Sequence, residues 1–257
     1  MEIIFREVPF NDNLTTFAIR NNELTGITGI ELDKINPSAP KTGTILVNKV
    51  KITSENIFEY LNKIVVIKVK EPKPYLRSVR EYMEDYIKEH NLTMKNASKK
   101  QADSLKIVGL DDTYLTKDYL DLSYSEKYLL ALAMGLLSNP LIIILKDPFY
   151  GLDLKNEKQI MTLLIRLKEK YNKYIIINTT DSNKLYKYTN HLLVFKNRLL
   201  LDGPTKEIYQ RVDYLHKNRI PIPEIVSFTY LAKKTKKVKI DYHRDIRDLI
   251  KDIYKHV

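Results

Sequence analysis

The chain has 257 residues, 44% of them apolar, and a formal charge of +11 from 43 basic against 32 acidic residues. That apolar share fits a chain that buries a real core, as one large domain or a domain with an appendage. The absence of cysteine excludes a disulfide framework and a thiolate metal site. The longest aliphatic runs, Leu141–Leu145 and Tyr174–Ile177, fall far short of the ~20 residues of a membrane span.

No N-terminal apolar segment resembles a signal peptide. The expectation is a soluble, cytoplasmic chain that meets a membrane only through a partner. Residues 204–257 hold 13 Lys/Arg against 7 Asp/Glu. Such a basic region suits an anionic membrane face or nucleic acid, and equally a solvated basic face.

Short runs rich in β-branched residues open the chain: Ile3–Val8, Thr15–Ile19, Leu24–Thr28, Thr44–Val47 and Ile64–Val69. Turn residues separate them, so they read as strands. From about Leu76 to Ser138 the pattern is helical. Val79, Tyr82, Met83, Tyr86 and Ile87 share one face, and Gly109 reads as a helix stop. Ser123-Tyr124-Ser125-Glu126 fits a capping box opening the next helix,. Leu141–Leu145 is a strand buried on both faces. A helix over about 156–171, a strand at Tyr174–Asn178, a helix near Asn183–Tyr188 and strands at His191–Phe195 and Leu199–Asp202 follow. This alternation predicts a parallel sheet covered by helices. After Gly203, Thr205–His216 reads as one basic amphipathic helix. Pro221 and Pro223 break the chain, and helices follow near Glu224–Lys233 and Arg244–Lys255.

The stretch Leu120–Asp153 keeps the order and spacing of the signature LSGGQ, the helix ending near Asn-Pro and the hhhhDEPxxxLD motif. The chain therefore resembles an ATP-binding cassette (ABC) ATPase. More narrowly, Gly203–Tyr209, Leu215, Ile220–Val226 and Asp245–Lys251 resemble the C-terminal appendage of energy-coupling-factor (cobalt/vitamin-type) transporter ATPases. The resemblance implies an α/β ABC ATPase fold: a P-loop NTPase-like parallel core sheet, an N-terminal antiparallel β part, a helical subdomain over about 76–138, and a small helical appendage. The implied domains are 1–203 and 204–257.

Motif by motif, the chemistry departs from the family. A P-loop needs G-x-x-x-x-G-K-[ST], whose amides and lysine cradle phosphate. Gly29 stands at the first glycine, but Ile-Glu-Leu-Asp-Lys-Ile follows, with Lys34 one place off and Glu31 and Asp33 repelling phosphate,. The segment up to Gly43 is also about one helix short, which would remove an anion-binding N-terminus. The Q-loop position reads Val69-Lys70-Glu71-Pro72 without Gln, just before the expected partner-docking stretch.

In the signature, Ser123 stays, Tyr124 and Ser125 replace the glycines that let backbone approach phosphate, and Glu126 replaces Gln. Lys146 stands where the resemblance places the magnesium-holding carboxylate, and Mg²⁺ demands oxygen ligands. Asp147 stands at the general-base position, a methylene short of Glu; a shift of about 1 Å can cost ~100-fold. Gly151-Leu152-Asp153 matches the D-loop that crosses the family's dimer interface. Thr180 replaces the switch histidine, and Asp181 suits a helix cap,.

Phosphoryl transfer depends on positioned positive charge. The expectation is therefore a pseudo-ATPase with no assigned catalytic residue, binding ATP and Mg only if the site works. The implied partners are another ABC ATPase subunit, as a heterodimer, and a transmembrane transporter subunit near residues 70–80. Nucleic acid is not expected, and the place is the inner face of the cell membrane. Two readings stay open: an active, divergent ABC transport ATPase, and a basic nucleic-acid-associated ABC relative.

Overall fold

A computed structural model describes residues 1–10, 13–30, 42–61, 63–70 and 77–256. The chain forms two compact units, Met1–Ile52 with Ile176–Val257, and Thr53–Ile175. The chain passes from one to the other twice, after Ile52 and inside the strand Tyr174–Asn178.

In the first unit, β1 (Glu2–Phe10), β2 (Asn13–Arg20), β4 (Thr44–Val47) and β5 (Val50–Lys51) form an antiparallel sheet in the order β2-β1-β4-β5. The tight turn between β4 and β5 places Asn48 and Lys49 at φ 51° and 71°, the twist-matched geometry of a two-residue hairpin. The unit's second sheet pairs β3 (Leu24–Thr28) in parallel with β9 (His191–Phe195), and β9 antiparallel with β10 (Leu199–Pro204). Every residue of β3 and β9 is buried, as a central strand covered on both faces requires.

Aromatic rings join the two sheets. Phe5 and Phe17, partners in register, stack at 4.4 Å, and Phe17 and Phe10 both reach Phe195, at 5.9 and 5.0 Å. Against the other sheet lies α6 (Ser182–Tyr188). Gly26 makes room for it: a Cβ there would sit 2.8 Å from Leu185 Cδ2 and 3.0 Å from Thr189 Oγ1.

The single helix expected over Thr205–His216 is two, α7 (Thr205–Gln210) and α8 (Val212–Lys217), parted at Arg211 with ψ 49°. The buried positions Thr205, Ile208, Tyr209, Val212 and Leu215 keep helical spacing across the break, so periodicity carries no trace of it. The unit ends in α9 (Glu224–Lys236) and α10 (Ile246–His256).

In the second unit, β6 (Ile64–Ile67) pairs in parallel with β7 (Ile142–Lys146) after the short helix α1 (Ile57–Leu61). Helices α2 (Val79–Glu89), α3 (Ala97–Val108), α4 (Tyr124–Leu136) and α5 (Leu154–Tyr171) complete it, with 3₁₀ turns at Asp112–Thr116 and Tyr119–Asp121. Helix α2 starts in a capping box, Ser78 with Glu81. Helix α3 stops at Gly109, whose φ of 85° and N–H bonds to Leu105 and Lys106 form a left-handed cap,. Helix α4 lies close on β6, since a Cβ on Gly135 would meet Ile67 Cδ1 at 2.3 Å. Strand β8 (Tyr174–Asn178) begins here, with the Tyr174 N–H on the Leu141 carbonyl at 2.9 Å, and finishes in the first unit.

Phe17 connects both sheets of the first unit, so Phe17→Ala should cost about 3 kcal/mol or more. Urea unfolding should show this as a lowered midpoint with an unchanged slope.

Candidate functional site

In the first unit, the end of β3 and the end of β8 come together. The Thr179 N–H donates to the Ile27 carbonyl at 3.2 Å, and the Asn178 amide donates to the carbonyls of Ile27 and Ile30 at 3.2 and 3.3 Å. Gly29 sits at φ 80°, and a Cβ there would fall 1.9 Å from the Phe195 carbonyl oxygen. No other residue fits that place, so the glycine is explained by β9 alone. Lys34, Glu31 and Asp33 lie outside the described residues. Thr180 is exposed. Asp181 caps α6, accepting the Lys184 N–H at 3.1 Å, and its own N–H is held by Thr179 Oγ1 at 3.2 Å. The expected capping role of Asp181 is what the geometry has.

In the second unit, three other motifs meet. Ser123 is the N-cap of α4, and both arms of the capping box form. Glu126 accepts from the Ser123 N–H at 2.8 Å, from Ser123 Oγ at 2.7 Å and from the Tyr114 hydroxyl at 2.6 Å. Its carboxyl is held below the usual value, first by the Tyr114 hydroxyl and then by Ser123. Ser123 Oγ also faces Ser125 Oγ at 3.1 Å. Ser123, Ser125 and Glu126 thus have partners in the turn or in Tyr114, a residue that motif spacing does not single out. Its only sequence trace is an aromatic in the 3₁₀ stretch before the helix.

Tyr124 lies over the Gly151–Asp153 turn. Its ring meets Tyr150 edge-on at 5.6 Å, and a Cβ on Gly151 would be 3.4 Å from Tyr124 Cδ1. Gly151 takes φ 66°, a conformation that favours glycine. Asp153 caps α5, accepting the Asn156 N–H at 2.7 Å, and Asn156 Nδ2 reaches Ser125 Oγ at 3.5 Å. The residues flanking Gly151–Asp153 are open: Tyr150 is 72% and Leu154 69% exposed.

Lys146 ends β7 and is exposed, while Ile142–Leu145 are buried. Its carbonyl takes the hydroxyl of the buried Tyr128 at 3.5 Å. Asp147 adopts φ 45°, a left-handed conformation that Asp tolerates better than most residues. Its carbonyl accepts the Tyr150 N–H at 3.1 Å, closing a turn. Burial, and after it the Asp147 carboxylate, pushes the Tyr124 phenol up, so Tyr124 stays a neutral hydroxyl. Among the described residues no group of three or more His, Cys, Asp or Glu is placed to hold a metal ion. Around Lys146 the available chemistry is cationic, phenolic and apolar, with the single carboxylate of Asp147 beside it.

No protein-family model matches the chain. It is 27% identical to the energy-coupling factor transporter ATP-binding protein EcfA3 of Oenococcus oeni, over 99% of this chain and 97% of that protein. It is 31% identical to EcfA2 of Mesomycoplasma hyopneumoniae, over 63% of this chain and 54% of that protein. Among solved structures, cbiO1 from Clostridium perfringens, part of the ABC transporter complex cbiONQ, superimposes with a TM-score of 0.66 at 22% identity, over 89% of this chain and 98% of that one. A dimeric post-hydrolysis state of the ATP-binding cassette MJ0796 bound to ADP and Pi gives 0.63 at 18% identity, over 79% and 98%.

Two outcomes test the α4 turn. Ser123→Ala should cost about 1 kcal/mol of stability, read by thermal or urea unfolding. Because the Glu126 carboxyl is held below its usual value of 4.5, its stabilisation is complete above that pH. It is lost as pH falls through the lower folded value. Acid unfolding of the wild type should therefore show a pH-dependent component in this range that Glu126→Gln lacks.

Proposed function

We propose that this chain, an ABC ATPase by fold and a homologue of the energy-coupling factor transporter ATP-binding proteins, is the ATP-binding-cassette subunit of such a transporter and does not itself complete a hydrolytic site. The observation that carries the second half is Lys146. An exposed ammonium ends the buried strand β7 at the place where the family resemblance puts the carboxylate that holds magnesium. A cation there repels the metal, and phosphoryl transfer without a positioned metal loses its main charge stabilisation.

The α4 turn supports the same reading. In the resembling family the signature meets the partner's triphosphate through bare glycine backbone. Here Tyr124 covers that surface, and the Glu126 carboxylate, held ionised by its hydrogen bonds, adds negative charge where phosphate would sit. Ser123 and Glu126 support the helix cap rather than a ligand. Asp147, at φ 45°, stands at the general-base position of the resembling family.

On this reading the chain is the non-catalytic half of a heterodimer, and a competent ATPase subunit supplies the working site. A membrane subunit docks near residues 70–80, and residues 204–257 act as an appendage that supports pairing. The place is peripheral, on the inner face of the membrane; among the described residues no helix is long and apolar enough to cross it.

The purified chain should hydrolyse Mg-ATP no faster than the buffer blank, and Lys34→Ala should change nothing. A phosphate-release assay that finds turnover, abolished by Lys34→Ala, would establish instead an active, divergent transport ATPase.

A further inference from the structure

The start of β9 carries a buried imidazole between two carboxylates. His191 is 7% exposed. Strand alternation puts it on the same face of β9 as Phe195, the residue that meets rings of the other sheet. Its Nε2 lies 2.6 Å from Asp202 Oδ1 on β10. Its Nδ1 lies 3.6 Å from Glu23 Oε2, in the turn before β3. That distance is within ion-pair range but too long for a hydrogen bond. Both of these facing atoms are buried, and neither has a hydrogen-bond partner in the protein. Such atoms are uncommon in a folded chain and costly to leave unpaired.

A neutral imidazole has one N–H, and the short contact with Asp202 assigns it to Nε2. Nδ1 then points a lone pair at a carboxylate, acceptor against acceptor. One further proton on Nδ1 turns that repulsion into an ion pair and supplies the donor that Glu23 Oε2 lacks. The charged neighbours favour this state. Arg20, at the end of β2, lies 3.8 Å from the other oxygen of Glu23 and 3.9 Å from Glu2 on β1. The row Glu2, Arg20, Glu23, His191, Asp202 alternates in sign only when His191 is charged. The register partners of His191, Thr25 on β3 and Pro204 on β10, carry no charge.

We infer that His191 is a proton-operated clasp. With a second proton its imidazolium joins Glu23 to Asp202 and fastens the entry of β3 to β10. Without that proton the Glu23 side is open. Asp202 leads through Gly203 and Pro204 directly into α7, so the clasp sits where the chain enters its last helices. On the proposed reading that residues 204–257 support pairing, the clasp makes that support depend on pH. The clasp itself needs neither nucleotide nor partner.

Urea unfolding of the full-length chain between about pH 5 and 8, where histidine changes charge, tests the clasp. A fold that takes up a proton loses stability as pH rises, so the wild-type midpoint should fall across this window. Glu23→Gln should lose that part of the fall, because the amide donates to Nδ1 without a proton. Glu23 is a partly exposed turn residue, so the variant should fold. The other histidines are the same in both proteins and cancel in the comparison. Amide exchange gives the local readout. The N–H groups of Leu24 and Thr205 are held by Asn190 at 3.2 and 2.9 Å on either side of the clasp. Corrected for the intrinsic effect of pH, their protection should drop a few-fold from the acid to the alkaline end in the wild type and stay level in Glu23→Gln. Matching pH profiles in the two proteins overturn the clasp, and are the result expected if a bridging water satisfies both atoms. That failure leaves the proposed function standing. ATP turnover by the pure chain would end that reading and leave the clasp intact.

Discussion

The reciprocal cap between Ser123 and Glu126 is the constraint from which the second unit's chemistry follows. A helix start leaves orphan N–H groups, and here they are met by side chains three residues apart that also satisfy each other. Tyr114 completes the arrangement by donating to the free oxygen of Glu126. Once those atoms are committed to holding α4, they have little left to offer an anion. The same first turn carries Tyr124, whose ring rests against Tyr150. In this chain the turn is filled by side chains that stabilise one another.

The strand that follows α4 shows a comparable division. Ile142–Leu145 are there for burial and are what any central strand of a covered sheet needs. Lys146 is the first residue to leave the core, and Asp147 turns the chain at φ 45°. The fold asks only that residue 146 be soluble and that residue 147 tolerate a left-handed backbone. Both demands are met by residues that, on the proposed reading, cannot seat magnesium. On that reading, architecture and chemistry separate at the boundary between the strand's buried part and its exposed end.

Much of this organisation was legible in the residues. The runs Leu24–Thr28, Thr44–Val47, Tyr174–Asn178 and His191–Phe195 match their strands end to end, because buried β-branched runs bounded by turn residues leave few alternatives. The Ser123 cap, the Gly109 stop and the Asp181 cap were legible because each rests on local stereochemistry within four residues. The break at Arg211 was not, since the buried positions keep one period through it. The capping box at Ser78 and Glu81 was written in the sequence but lies inside a longer helical pattern that masked it.

The candidate site was less legible than the fold for a related reason. Motif spacing locates Ser123, Lys146, Asp147 and Gly151 along the chain, yet what each side chain does depends on residues distant in sequence. Tyr114 reaches Glu126 across 12 positions, and Tyr119 reaches Lys70 across 49. Gly29 looked like the remnant of a phosphate loop, but its close approach to the Phe195 carbonyl accounts for it without any ligand. The most direct test of the central claim, that a cation has replaced the metal's seat, is calorimetric titration of ATP into the full-length chain with and without Mg²⁺. The account predicts that Mg²⁺ adds nothing to whatever ATP binding occurs. Micromolar binding that requires Mg²⁺ would contradict it.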